Sequence, residues 1–229
     1  YFHRIISFIG IQQMIFLSHL IDNNTPTYGN SSDIKISHAT CMDHGDTANS
    51  LSIKMNNHIG THIDLPKHFD INGKVLEQYP ACEWVFNKVQ LVNIPLEEEE
   101  MLSVSHFKKK LREDTEVLII KTGFEKFRHQ ESYWKNNPGV LPEVGTWLRK
   151  NFGSIKIIGF DFISLTCFQR REIGRISHRA FLESNKNNEP IRIIEDMKLS
   201  EIDTDPKKLI VLPLMIKGAD GVPVSIIAF

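Results

Sequence analysis

Residues 58–68 read HIGTHIDLPKH, three histidines and an aspartate inside one short segment of a chain that has only 10 histidines in 229 residues. A helix would bring His58 and His62 onto one face but point Asp64 elsewhere. Gly60, the β-branched Ile59, Thr61 and Ile63, and Pro66 also oppose a helix. In an extended chain the side chains alternate, so His58, Gly60, His62 and Asp64 share one face while Ile59, Thr61, Ile63 and Leu65 share the other. One face is then apolar and the other is made of metal donors. On this reading Gly60 leaves room between two imidazoles, Pro66 ends the extended run, and His68 turns back towards the site.

Two imidazoles and a carboxylate form a first shell suited to Zn²⁺ or Mn²⁺, and three protein ligands leave a position for water. Water on such an ion has its pKa lowered from about 15.7 towards about 7. The spacing therefore makes His58, His62 and Asp64 the candidate metal ligands. His68 is expected to act as general acid and base rather than as a fourth ligand.

The rest of the chain limits the setting of this segment. Hydrophobic residues make up 41% and charged residues 24%, the balance of a soluble globular protein. The formal net charge of -1 provides no field for nucleic acid or an anionic membrane, so the expected partner is a small molecule. Cys41, Cys82 and Cys167 form no C-x-x-C pair and suit free thiols in a reducing compartment, which predicts a cytoplasmic protein. Residues 14–229 are expected to form one domain. The apolar stretch YFHRIISFIGIQQ, residues 1–13, reads as an upstream extension or an expression remnant.

Strands are expected in MIFLSHLI (14–21), VFNKVQLVNI (85–94), EVLIIKTG (116–123), SIKIIGFDFISL (154–165), IRIIED (191–196), LIVLPLMI (209–216) and PVSIIAF (223–229). Those in 116–123 and 154–165 suit a sheet covered on both faces. GADG (218–221) reads as a turn. Helices are expected in SHFKKKLRE (105–113), PEVGTWLRKNF (142–152) and ISHRAFLES (176–184), the second with Pro142 in its first turn. The pattern is mixed α/β. Among the other histidines, His19, His38, His44, His106 and His129 read as surface residues, while Phe69 and Trp84 read as core.

HIGTHIDLPKH fills every defined position of H-x-G-T-H-x-D-x-P-x-H, and the chain resembles the cyclase-like metal-dependent hydrolases, the family of bacterial kynurenine formamidase and isatin hydrolase. The likeness runs from Met14 onwards. FLSHLIDNNTPTYGN is similar to the family's opening D-L-S and turn, IIGFDFISL to its G-x-D-x-x-S strand, and IKGADGVPVSIIAF to its G-x-D-G-x-P-x-R-x-x-A ending. Two departures are Thr166, where the family has an acid, and Ser225, where it has arginine.

The resemblance implies a single mixed-sheet α/β domain of the swivelling β/β/α type. It implies metal binding by His58, His62 and Asp64, with His68 as the catalytic acid and base. It adds His178, from a helix, and Glu195, from the following strand, as further metal ligands, and Tyr28, where the formamidases carry tryptophan, as a substrate contact. One or two divalent ions per subunit are compatible with this set: Asp64 and Glu195 would bridge two ions, whereas with one ion His178 would contact substrate or shuttle protons. The implied reaction is hydrolysis of a C–N amide bond in an aryl formamide or cyclic amide, by a homodimer or homotetramer. A cyclase or dehydratase, and a relative that binds a small ligand without turnover, are the alternatives.

Overall fold

The computed structural model describes residues 14–31, 34–107, 111–184 and 188–229; the expected extension at 1–13 lies outside them. The strands are β1 (Ile15–Phe16), β2 (Lys35–Thr40), β3 (Ser50–Lys54), β4 (His62–Asp64), β5 (Val85–Phe86), β6 (Val89–Asn93), β7 (Met101–Leu102), β8 (Val117–Lys121), β9 (Gly139–Val140), β10 (Ile157–Phe160), β11 (Arg192–Glu195), β12 (Leu209–Pro213) and β13 (Gly221–Ala228). The helices are α1 (Ser132–Lys135), α2 (Pro142–Asn151) and α3 (Arg171–Leu182).

A nine-stranded mixed sheet organises the chain in the order β5-β12-β13-β4-β11-β10-β8-β6, with β1 beside β13. The run β6, β8, β10, β11 is parallel, and β4 joins β11 to β13 through antiparallel ladders. Apolar alternation feeds two cores. Leu118, Ile120, Ile158, Phe160 and Ile193 face Val144 and Leu148 of α2 and Phe181 and Leu182 of α3. Val117, Ile119, Ile157 and Ile194 face Leu65, Met197, Val222 and Ile226 on the other side. Both faces of the parallel strands are thus covered, as their near-continuous Val, Ile and Leu content demands.

The helices differ in part from the sequence expectation. Pro142 begins α2, where its missing N–H costs no intrahelical bond. The third helix starts earlier than expected, at Arg171, because Gly174, Ser177, His178, Phe181 and Leu182 form one buried stripe along it. The expected helix in 105–113 is replaced, in its described part, by a single 3-10 turn, Val104–Phe107. There His106 Nδ1 accepts the Ser103 backbone N–H at 3.0 Å, a local bond that competes with helix propagation. Lys108–Lys110 lie outside the described residues. Strand β1 is shorter than expected, because past a bridge between Ser18 and Met197 the chain leaves the sheet.

Candidate metal centre

Register builds the inner part of the site. His62 and Asp64 are two residues apart on β4 and so share a face, and Glu195 is the cross-strand partner of His62 on β11. His62 Nε2 lies 3.4 Å from Asp64 Oδ1 and 3.4 Å from Glu195 Oε2. α3 brings in His178, whose Nε2 is 3.5 Å from both Asp64 Oδ2 and Glu195 Oε1. Each of these imidazoles spends its other nitrogen on a backbone carbonyl: His62 Nδ1 on Gly60 at 2.8 Å and His178 Nδ1 on Gly174 at 2.9 Å. A carbonyl can only accept, so Nδ1 carries a proton and Nε2 is the nitrogen turned to the carboxylates. Glu195 is held in turn by the Leu165 backbone N–H at 2.6 Å and the Ser164 hydroxyl at 3.3 Å.

The outer part is made by side chains alone. His58 Nδ1 meets Asp64 Oδ1 at 2.8 Å, and its Nε2 meets Asp220 Oδ2 at 3.1 Å. His68, at the end of the 3-10 turn Pro66–His68, places Nδ1 2.9 Å from the same Asp220 oxygen, and its ring stacks on His58 at a centroid distance of 4.0 Å. The Asn57 amide donates to the other Asp220 oxygen at 2.7 Å.

Gly60 departs from the sequence expectation. The chain is not extended through it: its φ is +58°, in the left-handed region, and a Cβ there would meet Ile21 Cγ1 at 3.2 Å rather than the imidazoles. That turn is what lets His58 and His62 approach from different directions, with ring centroids 5.3 Å apart and planes nearly perpendicular. The glycine required by close approach to an imidazole is Gly221, where a Cβ would lie 2.4 Å from His58 Cε1.

Burial opposes charge on both His58 and His178. Hydrogen bonds donated to Asp220 and Asp64 nevertheless hold His58 up at about 10, and those to Asp64 and Glu195 do the same for His178. Burial alone would raise the Asp64 pKa, but its contacts with His178, His58 and His62 keep it well below the carboxylate range. Asp220 is also driven down, by its hydrogen bonds to His58 and His68.

The donor chemistry fits a divalent cation. His62, Asp64 and Glu195 offer ligand atoms within 4.8 Å of one another, as do His58, Asp64 and His68. The separations of 3.4–3.5 Å around His62 and His178 resemble the edge of a coordination tetrahedron with bonds of about 2.0–2.1 Å, which is about 3.3–3.4 Å. Nitrogen and oxygen donors without thiolate suit Zn²⁺ or Mn²⁺. The structure therefore brings together all six of the predicted metal and acid-base residues, with Asp64 common to the inner and outer groups.

The cluster forms the floor of a cavity of about 380 Å³ walled by Tyr28, Ile59, Phe69, Ile163, Thr166 and Arg171. Tyr28 lies on the 3-10 turn Tyr28–Asn30 and meets Phe168 edge-on at 5.5 Å. Phe69, expected in the core, packs partly buried against it and also lines the cavity, stacking on His178 at 4.6 Å. Trp84 is buried as expected. His19, expected at the surface, is largely enclosed beside Glu125, with its backbone N–H bonded to Thr61 Oγ1. Thr166, at the position where an acid was expected, places its hydroxyl 3.2 Å from His178 Nδ1.

Asp220 was not singled out as a site residue by sequence. It lies in GADG, whose Asp-Gly pair reads as turn chemistry and masks a second role. Asp161, within the G-x-D-x-x-S segment, faces away from the cluster and accepts the Thr122 and Gly123 backbone N–H groups at 2.8 and 2.7 Å.

Comparison with known proteins agrees with this architecture. The cyclase family model matches residues 15–166. The chain belongs to the cyclase family. It is 25% identical over 218 residues to a kynurenine formamidase of Bacillus thuringiensis subsp. konkukian, covering 93% of this chain and 95% of that protein. It is 26% identical over 197 residues to cyclase-like protein 1 of Arabidopsis thaliana, covering 81% and 71%. Isatin hydrolase A from Labrenzia aggregata superposes with a TM-score of 0.74 at 20% identity, over 94% of this chain and 93% of that one, which fixes the single-domain mixed-sheet fold. Among the described residues no helix is long and apolar enough to cross a membrane.

Proposed function

We propose that this member of the cyclase family is a metal-dependent hydrolase of C–N amide bonds, acting on an aryl formamide such as N-formylkynurenine or a cyclic amide such as isatin. The observation that carries the reading is a buried donor cluster opening, through one cavity, on a histidine already paired with a carboxylate. His58, His62, Asp64, His178 and Glu195 would hold one or two ions of Zn²⁺ or Mn²⁺. When bound, such an ion supplies Lewis acidity, polarising a carbonyl and making the proton of water easier to lose.

The chain's own residues move that proton. Asp220 accepts the Nδ1–H of His68, so Nε2 is the nitrogen left to exchange a proton. His68 Nε2 takes a proton from water and passes it to the amide nitrogen as the C–N bond breaks. Asp220 offsets the positive charge that the ring acquires between these two transfers. Phe69, Ile59 and Ile163 provide apolar surface against which an aryl ring can pack, excluding water from one side of the amide.

The relatives support this reading, since one is named a kynurenine formamidase and a structural neighbour an isatin hydrolase. The test is a metal analysis followed by a substrate panel of N-formylkynurenine, isatin and formanilide with product identification. Turnover of at least one amide, lost on chelation and restored by zinc or manganese, is expected. Loaded protein that hydrolyses none of the three would defeat the proposal.

A further inference from the structure

The cavity has a charged feature that amide hydrolysis does not require. Its acidic side chains are all engaged: Asp64 and Glu195 with histidines, and Asp196 with Arg128 at 2.8 Å. Arg175, one of two arginines in the wall, is tied to Glu172 on its own helix. Arg171, the other, has no ion pair among the described residues. Its guanidinium lies over the Phe168 ring at 4.1 Å, and Phe168 is braced by Tyr28 at 5.5 Å and Trp134 at 5.4 Å. The Tyr28–Asn30 turn packs closely on this aromatic group, since a Cβ at Gly29 would touch Phe168 at 3.3 Å. Stacking engages the guanidinium face rather than its N–H edge, the edge that grips a carboxylate with two parallel bonds.

The Tyr28 hydroxyl strengthens the case. It is buried, and beyond the adjacent Arg171 guanidinium it has no hydrogen-bond partner among the described residues. Burial pushes its pKa up to about 12 despite the nearby positive charge of Arg171, so at neutral pH it is a donor beside that guanidinium. A stacked arginine and the phenol beside it thus border one cavity with the donor cluster on its floor.

We propose that Arg171, assisted by the Tyr28 hydroxyl, anchors a carboxylate carried by the substrate at a distance from its scissile amide, so that the preferred substrates are anionic amides. The inference rests on the amide-hydrolase reading and narrows it, because N-formylkynurenine bears such a carboxylate and isatin does not.

The test uses two pairs that differ only in that group. N-formylkynurenine and N-formylkynuramine are compared by kcat/KM, and their amine products kynurenine and kynuramine by calorimetric Kd, on the metal-loaded wild type, Arg171→Met and Arg171→Lys. In the wild type the carboxylated member should be favoured about 10- to 100-fold in both measurements, as for a hydrogen bond to a charged group. Arg171→Met should bring both ratios towards one, and Arg171→Lys should restore part of the preference by returning the charge without the fork. Wild-type ratios near one, binding of neither product, or an Arg171→Met variant that weakens both members alike would overturn the anchor. Equal turnover of the two formamides would leave hydrolysis standing and remove the anchor. No turnover, with kynurenine preference still erased by Arg171→Met, would leave the anchor standing and remove hydrolysis.

Discussion

His62, Asp64, Glu195 and His178 expose 6%, 1%, 5% and 5% of their side chains, whereas His58, His68 and Asp220 expose 23%, 29% and 36%. The first set is fixed by a strand register and by backbone carbonyls behind each imidazole, so its donors are aimed before any ion arrives. The second set hangs on side-chain bonds alone, His58 on Asp64 and Asp220 and His68 on Asp220, within reach of solvent. Rigid, dry donors suit the retention of a cation, and the wetter, adjustable His68–Asp220 pair suits the exchange of protons.

Breaking the inner set should have the largest effect. His62→Ala removes one of the two rings that sit between the buried carboxylates Asp64 and Glu195, leaving only His178 to offset their repulsion; loss of a partner from such a cluster costs about 3–5 kcal/mol. Metal content by plasma emission and amide turnover should both fall to background, with a lowered Tm. A His62→Ala protein that still carries stoichiometric metal would erase the distinction between the two sets.

Breaking the outer set should separate metal from rate. His68→Ala is expected to keep its metal while kcat falls about 10²- to 10⁴-fold, the contribution typical of general acid-base catalysis. Asp220→Asn should be milder, about 10- to 100-fold, because the ring stays in place but loses the partner that orients it. If His68→Ala instead lost its metal, His68 would belong with the ligands, a possibility its position near His58 and Asp64 makes sharp.

Proton competition offers a smaller, graded test. His58 and His178 have pKa values raised to about 10, so near neutral pH both rings carry a proton that a cation must displace. Zinc affinity should therefore rise with pH between about 6.5 and 10, by up to about tenfold per unit for each proton released. Folding without metal takes the opposite sign. The stability contributed by these raised groups is fully present below the unfolded histidine value and is lost as pH rises through about 10. Calorimetry in buffers of different ionisation enthalpy counts the protons, and a pH-independent affinity would contradict the assigned ligands.

Much of this site was legible because one segment carries both its chemistry and its secondary structure. The alternation of HIGTHIDLPKH placed His62 and Asp64 on a common face, and the ladder to β11 then made Glu195 a neighbour. His178 and Glu195 needed the family pattern, since nothing local distinguishes them from a helix residue and a strand-end charge. Asp220 was hidden by its turn, and Arg171 by a helix start that sequence placed five residues too late. Both are joined to the site only by long-range packing. The helix expected in 105–113 failed for the opposite reason, since local propensity there was outweighed by a side-chain bond of His106.

Gly60 isolates what the inner and outer sets share, the backbone turn between their first members. Its φ of +58° costs a residue with a Cβ about 1–2 kcal/mol, and the added atom would also press on Ile21 at 3.2 Å. Gly60→Ala should therefore lower stability by that amount or slightly more, about 2–8 °C in Tm for a chain of this size. Because Ile21 rather than either imidazole meets the new methyl, metal content and the kcat of loaded protein should change little. Loss of metal in a folded Gly60→Ala protein would mean that alanine does not hold the left-handed turn, and that the two sets are one unit held by a single dihedral.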